Sequence, residues 1–495
     1  MSPFKSVQKI VSPLAVALAI SLAAPLTGTL ASAQDATTKA GITPPLPAAP
    51  YRVDAKIEKT ANKLIAAGLK DRLGYDVIES LTTEIGPRLA GSDNEARARQ
   101  WGVAKLKKLG FKNVRIEPFE VPYWERKVEL ANIVSPFPQS LIITALGNSI
   151  ATPDGGTTGQ IVRFETLEAL EDAPLTGFEG KIIFVDEMMA RSQDGSGYGK
   201  AVRKRSGAAK EAGKRNAAAA LIRSVGTDHH RLPHTGGMGY ADDVKQVPIA
   251  ALSPPDADQL ARALKRGVVI VKLEIDVVTM ASRPSGNVIG EIPGKTDEII
   301  VIGGHLDSWD LGTGAVDDGA GIGITVGAAH LIKKLRQKPR RTIRVVMFGA
   351  EETGLFGGIE YARAHAHELD KHILGAESDF GAGKIWRLQT RFGESQLDKG
   401  DAIARVLSPL KIGRGNNQAS GGPDMGPIRR LGVPVISLTQ DGTDYFDLHH
   451  TADDTFDKIN PDDIAQNVAA YAAMVWMASE MNVDFRDPIS PGLSE

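Results

Sequence analysis

In the second half of the chain, apolar positions fall into short dense runs, each followed by a longer amphipathic stretch. IIVIGGH (299–305), TIRVVMFG (342–349), ILGAESD (373–379) and PVISLTQD (434–441) read as strands. Between them, residues 319–335 and 355–369 carry helical spacing, the first so rich in Gly and Ala that it suits close packing. Asn460-Pro461 caps a last helix whose Ile464, Val468, Tyr471 and Val475 form one apolar stripe. This alternation predicts an α/β fold, a mixed and largely parallel sheet sandwiched by helices.

The first half is patterned differently. Ser92 with Glu95 fits a capping box opening a helix that stops at Gly110, and Val114 and Ile116 begin a strand. Residues 128–282 show short strands, QIVRF (160–164) and KIIFVD (181–186), and an Ala-rich stretch, 208–222, that reads as helix. The expected organisation is a main domain, 53–127 and 283–495, interrupted by a small inserted α/β domain, 128–282. Residues 1–33 carry Lys5 and Lys9 ahead of an apolar run that ends in Ala31-Ser32-Ala33, the pattern of a cleaved signal peptide. A Pro/Ala-rich linker, 34–52, follows. The reading is an exported protein, periplasmic or secreted, with no stable membrane anchor once the signal is cut.

Net charge is −2, so nothing global points to nucleic acid. The basic runs at 200–215 and 333–344 read as solvated faces. Cysteine is absent, which excludes disulfides, thiolate metal sites and cysteine nucleophiles together. Any metal must be held by His, Asp or Glu.

Those residue types gather after the predicted strands, where ligands bind in open α/β sheets. GGHLDSWD supplies His305 and Asp307, GAVDDGAG supplies Asp317 and Asp318, and GAEETG supplies Glu351 and Glu352. ESDFG supplies Asp379, and FDLHHTADDT supplies His449 and His450. Two divalent ions ~3.5–4 Å apart repel by roughly 17–19 kcal/mol at an effective dielectric of 20. Asp317, Glu352 and Asp379 offer three carboxylates to offset that charge, with Asp317 placed to bridge, while His305 and His450 add one nitrogen to each ion. Glu351 is then free to take a proton from water held between the ions and return it to a leaving amine.

The ordered motifs H-x-D, D-x-x-A-G, E-E-T-G, E-S-D and H-T-x-x-D-T resemble those of the co-catalytic dinuclear zinc exopeptidase family, which spans leucine-type aminopeptidases and glutamate carboxypeptidases. With IGPRLAGS (85–92) and the doubled histidine, the resemblance is strongest to its carboxypeptidase Q branch and covers residues 55–480. It implies a zinc-peptidase fold with a protease-associated-like insert, and two Zn2+ per chain, with Co2+ or Mn2+ as substitutes. It also implies short peptides as substrates and contacts that allow a homodimer. One ion would be held by His305, Asp317 and Asp379, the other by Asp317, Glu352 and His450, with Glu351 as catalytic base.

Some positions stay open at this level. Asp307 reads either as a turn cap or as the residue that orients the His305 ring. His449 stands where some relatives have a tyrosine, and Tyr445 is its rival for assisting an oxyanion. His234 belongs either to a surface loop or to the mouth of the site, and Arg414 either to the surface or to a substrate carboxylate. His365 and His367 are expected in solvent. An aminopeptidase, a non-catalytic receptor-like relative and a single-zinc cyclase or amidohydrolase are the competing functions.

Overall fold

The computed structural model describes residues 51–487. The expected signal peptide, 1–33, and all but the last two residues of the expected linker, 34–52, lie outside the described residues. None of the described helices is long and apolar enough to cross a membrane.

Seven strands organise the site: β1 (Lys112–Ser135), β2 (Ile270–Ile292), β3 (Ile299–His305), β4 (Thr342–Phe348), β5 (His372–Glu377), β6 (Ile385–Arg391) and β7 (Val435–Gln440). They stand in the order β6-β7-β5-β3-β4-β2, with β1 on the other side of β2 along much of its length. β7, β5, β3 and β4 run parallel, and β6 and β2 flank them antiparallel. β3 is buried at every residue, because helices cover both faces and leave no side for polar alternation. Helices α1 (Ala320–Lys333), α2 (Phe356–Ala364) and α3 (Pro461–Glu480) complete the frame.

α3 begins as predicted, the Asn460 side chain accepting from the Asp462 and Asp463 N–H groups. Its burial is broader than one stripe: every residue from Ile464 to Ser479 is buried. Helix Ala55–Gly68 lies so close that a Cβ on Gly68 would come within 2.5 Å of the Ala469 backbone. At the other predicted cap, Ser92 accepts from the Glu95 N–H at 3.1 Å. The Glu95 carboxylate turns inward to Arg99 at 2.9 Å instead of closing the box.

Between β1 and β2, the strands Thr157–Phe164, Ile182–Val185, Ala219–Arg223 and Ile249–Leu252 lie parallel side by side, and Thr157–Phe164 pairs with the outer part of β2. β1 and β2 run without interruption through residues 127–128 and 282–283. The Ala-rich stretch 208–222 is not one helix. The helix Lys204–Lys214 ends where Asn216 adopts φ 53°, and Ala219–Arg223 is a buried strand. Short apolar runs do not distinguish the two by periodicity, and the left-handed Asn is the terminator.

The basic runs are less solvated than their composition suggests. Lys204, Arg205, Arg215, Arg341 and Arg344 are buried, Arg344 against Glu291 and Glu368 at 2.8 Å each. His365 is also buried, its ring held by Glu117 of the distant strand β1 and by Glu368 three residues along. Arg414 pairs with Asp401 at 3.0 Å.

Candidate active site

Each predicted residue sits just past the carboxyl end of a strand. His305 ends β3, and Asp317 lies in the turn before α1. Glu351 and Glu352 follow β4, Asp379 follows β5, and the pair His449–His450 follows β7 after the short helix Tyr445–Leu448.

Asp317 occupies the centre. Its Oδ1 lies 3.0 Å from His305 Nε2 and its Oδ2 lies 3.2 Å from His450 Nε2, so its two oxygens face two different groups. On one side Asp379 Oδ1 stands 3.8 Å from His305 Nε2. On the other, Glu352 Oε2 stands 3.0 Å from His450 Nε2. Three overlapping sets have ligand atoms within 4.8 Å of one another: Asp317 with His449 and His450, His305 with Asp318 and Asp379, and His305 with Asp317 and Glu352. Glu351 is in none of them, although it lines the same cavity of about 630 Å³.

Asp307 holds the glutamate pair. Its carboxylate accepts from the Glu351 N–H at 3.0 Å and from the Glu352 N–H at 3.2 Å. Its backbone carbonyl accepts from His305 Nδ1 at 3.0 Å, so one residue fixes the ring and the adjoining turn together. Asp454 does the same for Asp317, accepting from the Val316 and Asp317 N–H groups. The buried Arg88 donates to the carbonyls of Leu306, Thr313 and Gly314 and knits the loops that carry these residues.

His450 has φ 62°, a left-handed backbone that costs a non-glycine residue about 1–3 kcal/mol unless its surroundings hold it. Those surroundings come from the loop near residue 230. Thr235 N–H donates to the His450 carbonyl at 3.0 Å, and His234 Nδ1 donates to the His449 carbonyl at 2.6 Å. His234 is fully buried and reaches Asp228 Oδ1 at 2.6 Å through Nε2. His449 stacks on His450 with ring centroids 3.5 Å apart and meets Tyr445 edge-on at 5.1 Å.

Burial pushes the carboxyls of Glu351, Glu352 and Asp379 upward, Asp379 to about 7, and neighbouring carboxylates add to the effect. Burial also disfavours charge on His450, but Glu352 and Asp317 raise it to about 9. Asp317 resists burial because His305 and His450 hydrogen-bond to its ionised form and hold it well below the usual range. Glu352 Oε1 and His449 Nδ1 are buried without hydrogen-bond partners. A set of buried carboxylates and imidazoles with an orphaned oxygen fits divalent cations.

Arg205, from the helix Lys204–Lys214, also lines this cavity. It is buried, has no carboxylate within ion-pairing distance among the described residues, and leaves its Nε unpartnered. Its Nη1 donates to the Tyr198 hydroxyl at 3.3 Å, and its Nη2 lies 3.4 Å from His450 Nδ1. Gly236 is required beside it, since a Cβ there would fall 2.1 Å from Nη1. Sequence reading passed over Arg205 because nothing local separates it from a solvated basic run. Arg88 and Asp454 did stand inside motifs already noted, IGPRLAGS and HTADDT.

The family model described as Peptidase family M28 matches residues 287–475. Carboxypeptidase Q from Mus musculus is 33% identical over 433 residues, covering 86% of this chain and 90% of that protein. A crystal structure of a peptidase M28 precursor from Shewanella amazonensis SB2B superposes with TM-score 0.86 at 49% identity, covering 89% of this chain and all of that one. A zinc aminopeptidase structure from Bacillus subtilis has TM-score 0.62 at 19% identity over 84% of this chain and 98% of that one, a likeness of fold.

Proposed function

We propose, from the premise that this chain belongs to peptidase family M28 and is a metallopeptidase, that it is an exported di-zinc exopeptidase that cleaves dipeptides and trims short peptides. The observation that carries the two-ion reading is Asp317, whose oxygens face His305 on one side and His450 on the other. In this reading His305, Asp317 and Asp379 hold one ion, and Asp317, Glu352 and His450 hold the second. Divalent ions there supply positive charge that polarises a peptide carbonyl and acidifies water.

The protein's own groups do the rest. Glu351 takes the proton of the attacking water and delivers it to the departing amine. Asp307 keeps that carboxylate aimed by clamping the Glu351–Glu352 turn. His449 and Tyr445 both line the cavity and are the rival candidates for assisting the oxyanion.

Arg205 favours a substrate with a free carboxyl terminus. Four positive charges on two ions balance Asp317, Glu352, Asp379 and Glu351, and one uncompensated guanidinium remains. A substrate carboxylate completes the count and matches the guanidinium fork. Carboxypeptidase or dipeptidase action follows, in preference to aminopeptidase action.

The test pairs metal analysis with a dipeptide panel blocked at each end. Two zinc ions per chain and a large rise in KM on C-terminal amidation are expected. One ion per chain, or equal cleavage of free and amidated dipeptides, would refute the corresponding half of the reading.

A further inference from the structure

A second cavity, of about 500 Å³, adjoins the first. Leu355, Asp379, Phe380 and Pro423 line both, so the two share a wall at the Asp379 end of the cluster. Arg205 stands at the other end, against His450.

Three arginines line this second cavity: Arg387 on β6, and Arg429 and Arg430 on the short helix Gly426–Arg430. Arg387 and Arg429 are half-buried and Arg430 is exposed, and their pairing differs from that of the buried Arg344 and Arg223. Arg344 and Arg223 each hold two carboxylates at 2.8 Å or less. Arg387 has only Asp194, at 3.9 Å, and Asp194 is itself 39% exposed. Arg429 and Arg430 make no side-chain hydrogen bond or ion pair among the described residues, and the Nε atoms of Arg387 and Arg429 are buried without partners. Burial draws Arg429 below its ordinary value, and Arg391 and Arg430 draw it lower, which is the sign of a cation lacking an anion. Glu377 lines the same space but forms no ion pair with any of the three, and its carboxylate accepts instead from the Asp424 N–H at 2.8 Å. Ser437 and Thr439 add hydroxyl groups.

We propose that this cavity is a subsite for an acidic side chain, the Glu or Asp residue that contributes the scissile carbonyl. The assignment to the acyl residue rests on the function proposed above: with the terminal carboxylate at Arg205, the other residue of a dipeptide extends past Asp379. A guanidinium fork with unused N–H groups binds a carboxylate by two parallel hydrogen bonds, and an uncharged amide of the same shape cannot replace it.

The experiment compares kcat/KM for Glu-Ala and Gln-Ala in the wild-type enzyme and in Arg387→Gln, Arg429→Gln and the double variant. Melting temperatures verify that each variant is folded. The expected result is a Glu-Ala preference of about tenfold or more in the wild type. It shrinks in each single variant and falls near unity in the double one. Equal rates in the wild type, or a preference that survives both substitutions, would overturn the subsite. In parallel, free L-glutamate should raise the melting temperature of the wild type more than L-glutamine does, and that difference should vanish in the double variant. If no dipeptide is cleaved, the peptidase reading fails. The binding arm then judges the cavity alone, and equal shifts with the two amino acids refute it.

Discussion

Replacing Asp307 separates a structural clamp from a metal ligand. Its buried carboxylate accepts two backbone N–H groups, those of Glu351 and Glu352, at 3.0 and 3.2 Å. A hydrogen bond to a charged group contributes roughly 1.5–3 kcal/mol, and an orphaned buried donor adds its own desolvation penalty. Asp307→Asn keeps one acceptor and turns an amide N–H toward the other donor, so a loss of about 2–3 kcal/mol in folding stability is expected. Asp307→Ala orphans both donors and should cost about 3–6 kcal/mol. Catalysis should suffer separately, because the released turn carries the proposed base. A misplacement near 1 Å costs about 100-fold in rate. Urea denaturation of the metal-free protein gives the first quantity, and dipeptide turnover at saturating zinc gives the second. An Asp307→Asn variant within ~0.5 kcal/mol of wild type and turning over at near-wild-type rate would show that the clamp positions nothing.

Glu351→Gln should retain two zinc ions by elemental analysis yet lose about 100- to 10,000-fold in kcat, the range for removing a general base. Adding zinc to the chelated protein at about 100 times Kd should stabilise it by roughly 2.7 kcal/mol for each independent site, read as a rise in melting temperature. Asp317→Asn should forfeit most of that gain, because both proposed ions use this side chain. Burial lowers His372 from 6.5 to about 4, and its ring donates to the Glu368 carbonyl and accepts from the Tyr361 hydroxyl while neutral. Between those values the unfolded chain binds a proton that the folded one refuses, so stability falls as pH drops from 6.5 toward 4, by about 3 kcal/mol from this residue. Urea titrations of wild type and His372→Gln across that range should differ by this amount.

The proposed ligands were readable because each lies at the carboxyl end of a strand or in the connection that leaves it, and a parallel sheet brings such ends together. His305, Asp317, Glu352, Asp379 and His450 therefore meet without knowledge of any long-range contact. The surrounding braces were not readable in this way. Arg205 and His365 look like surface residues in sequence and are enclosed by distant segments, with His450 beside Arg205 and Glu117 beside His365. Ala219–Arg223 misled for a different reason: alanines suit a helix, and only Asn216 marks the break before the strand.

The ladder of β1 and β2 has a mechanical consequence. Two uninterrupted strands carry the chain out to the segment that supplies Arg205 and bring it back, paired across both halves with bulges near Val121 and Arg126. A swinging gate needs a pivot of one or two residues, and here any rocking must flex the whole ribbon at once. The ribbon therefore tethers the segment that supplies Arg205 to the sheet through two strands at once. In the proposed reading, the length of peptide admitted would follow from this tether rather than from a hinged lid.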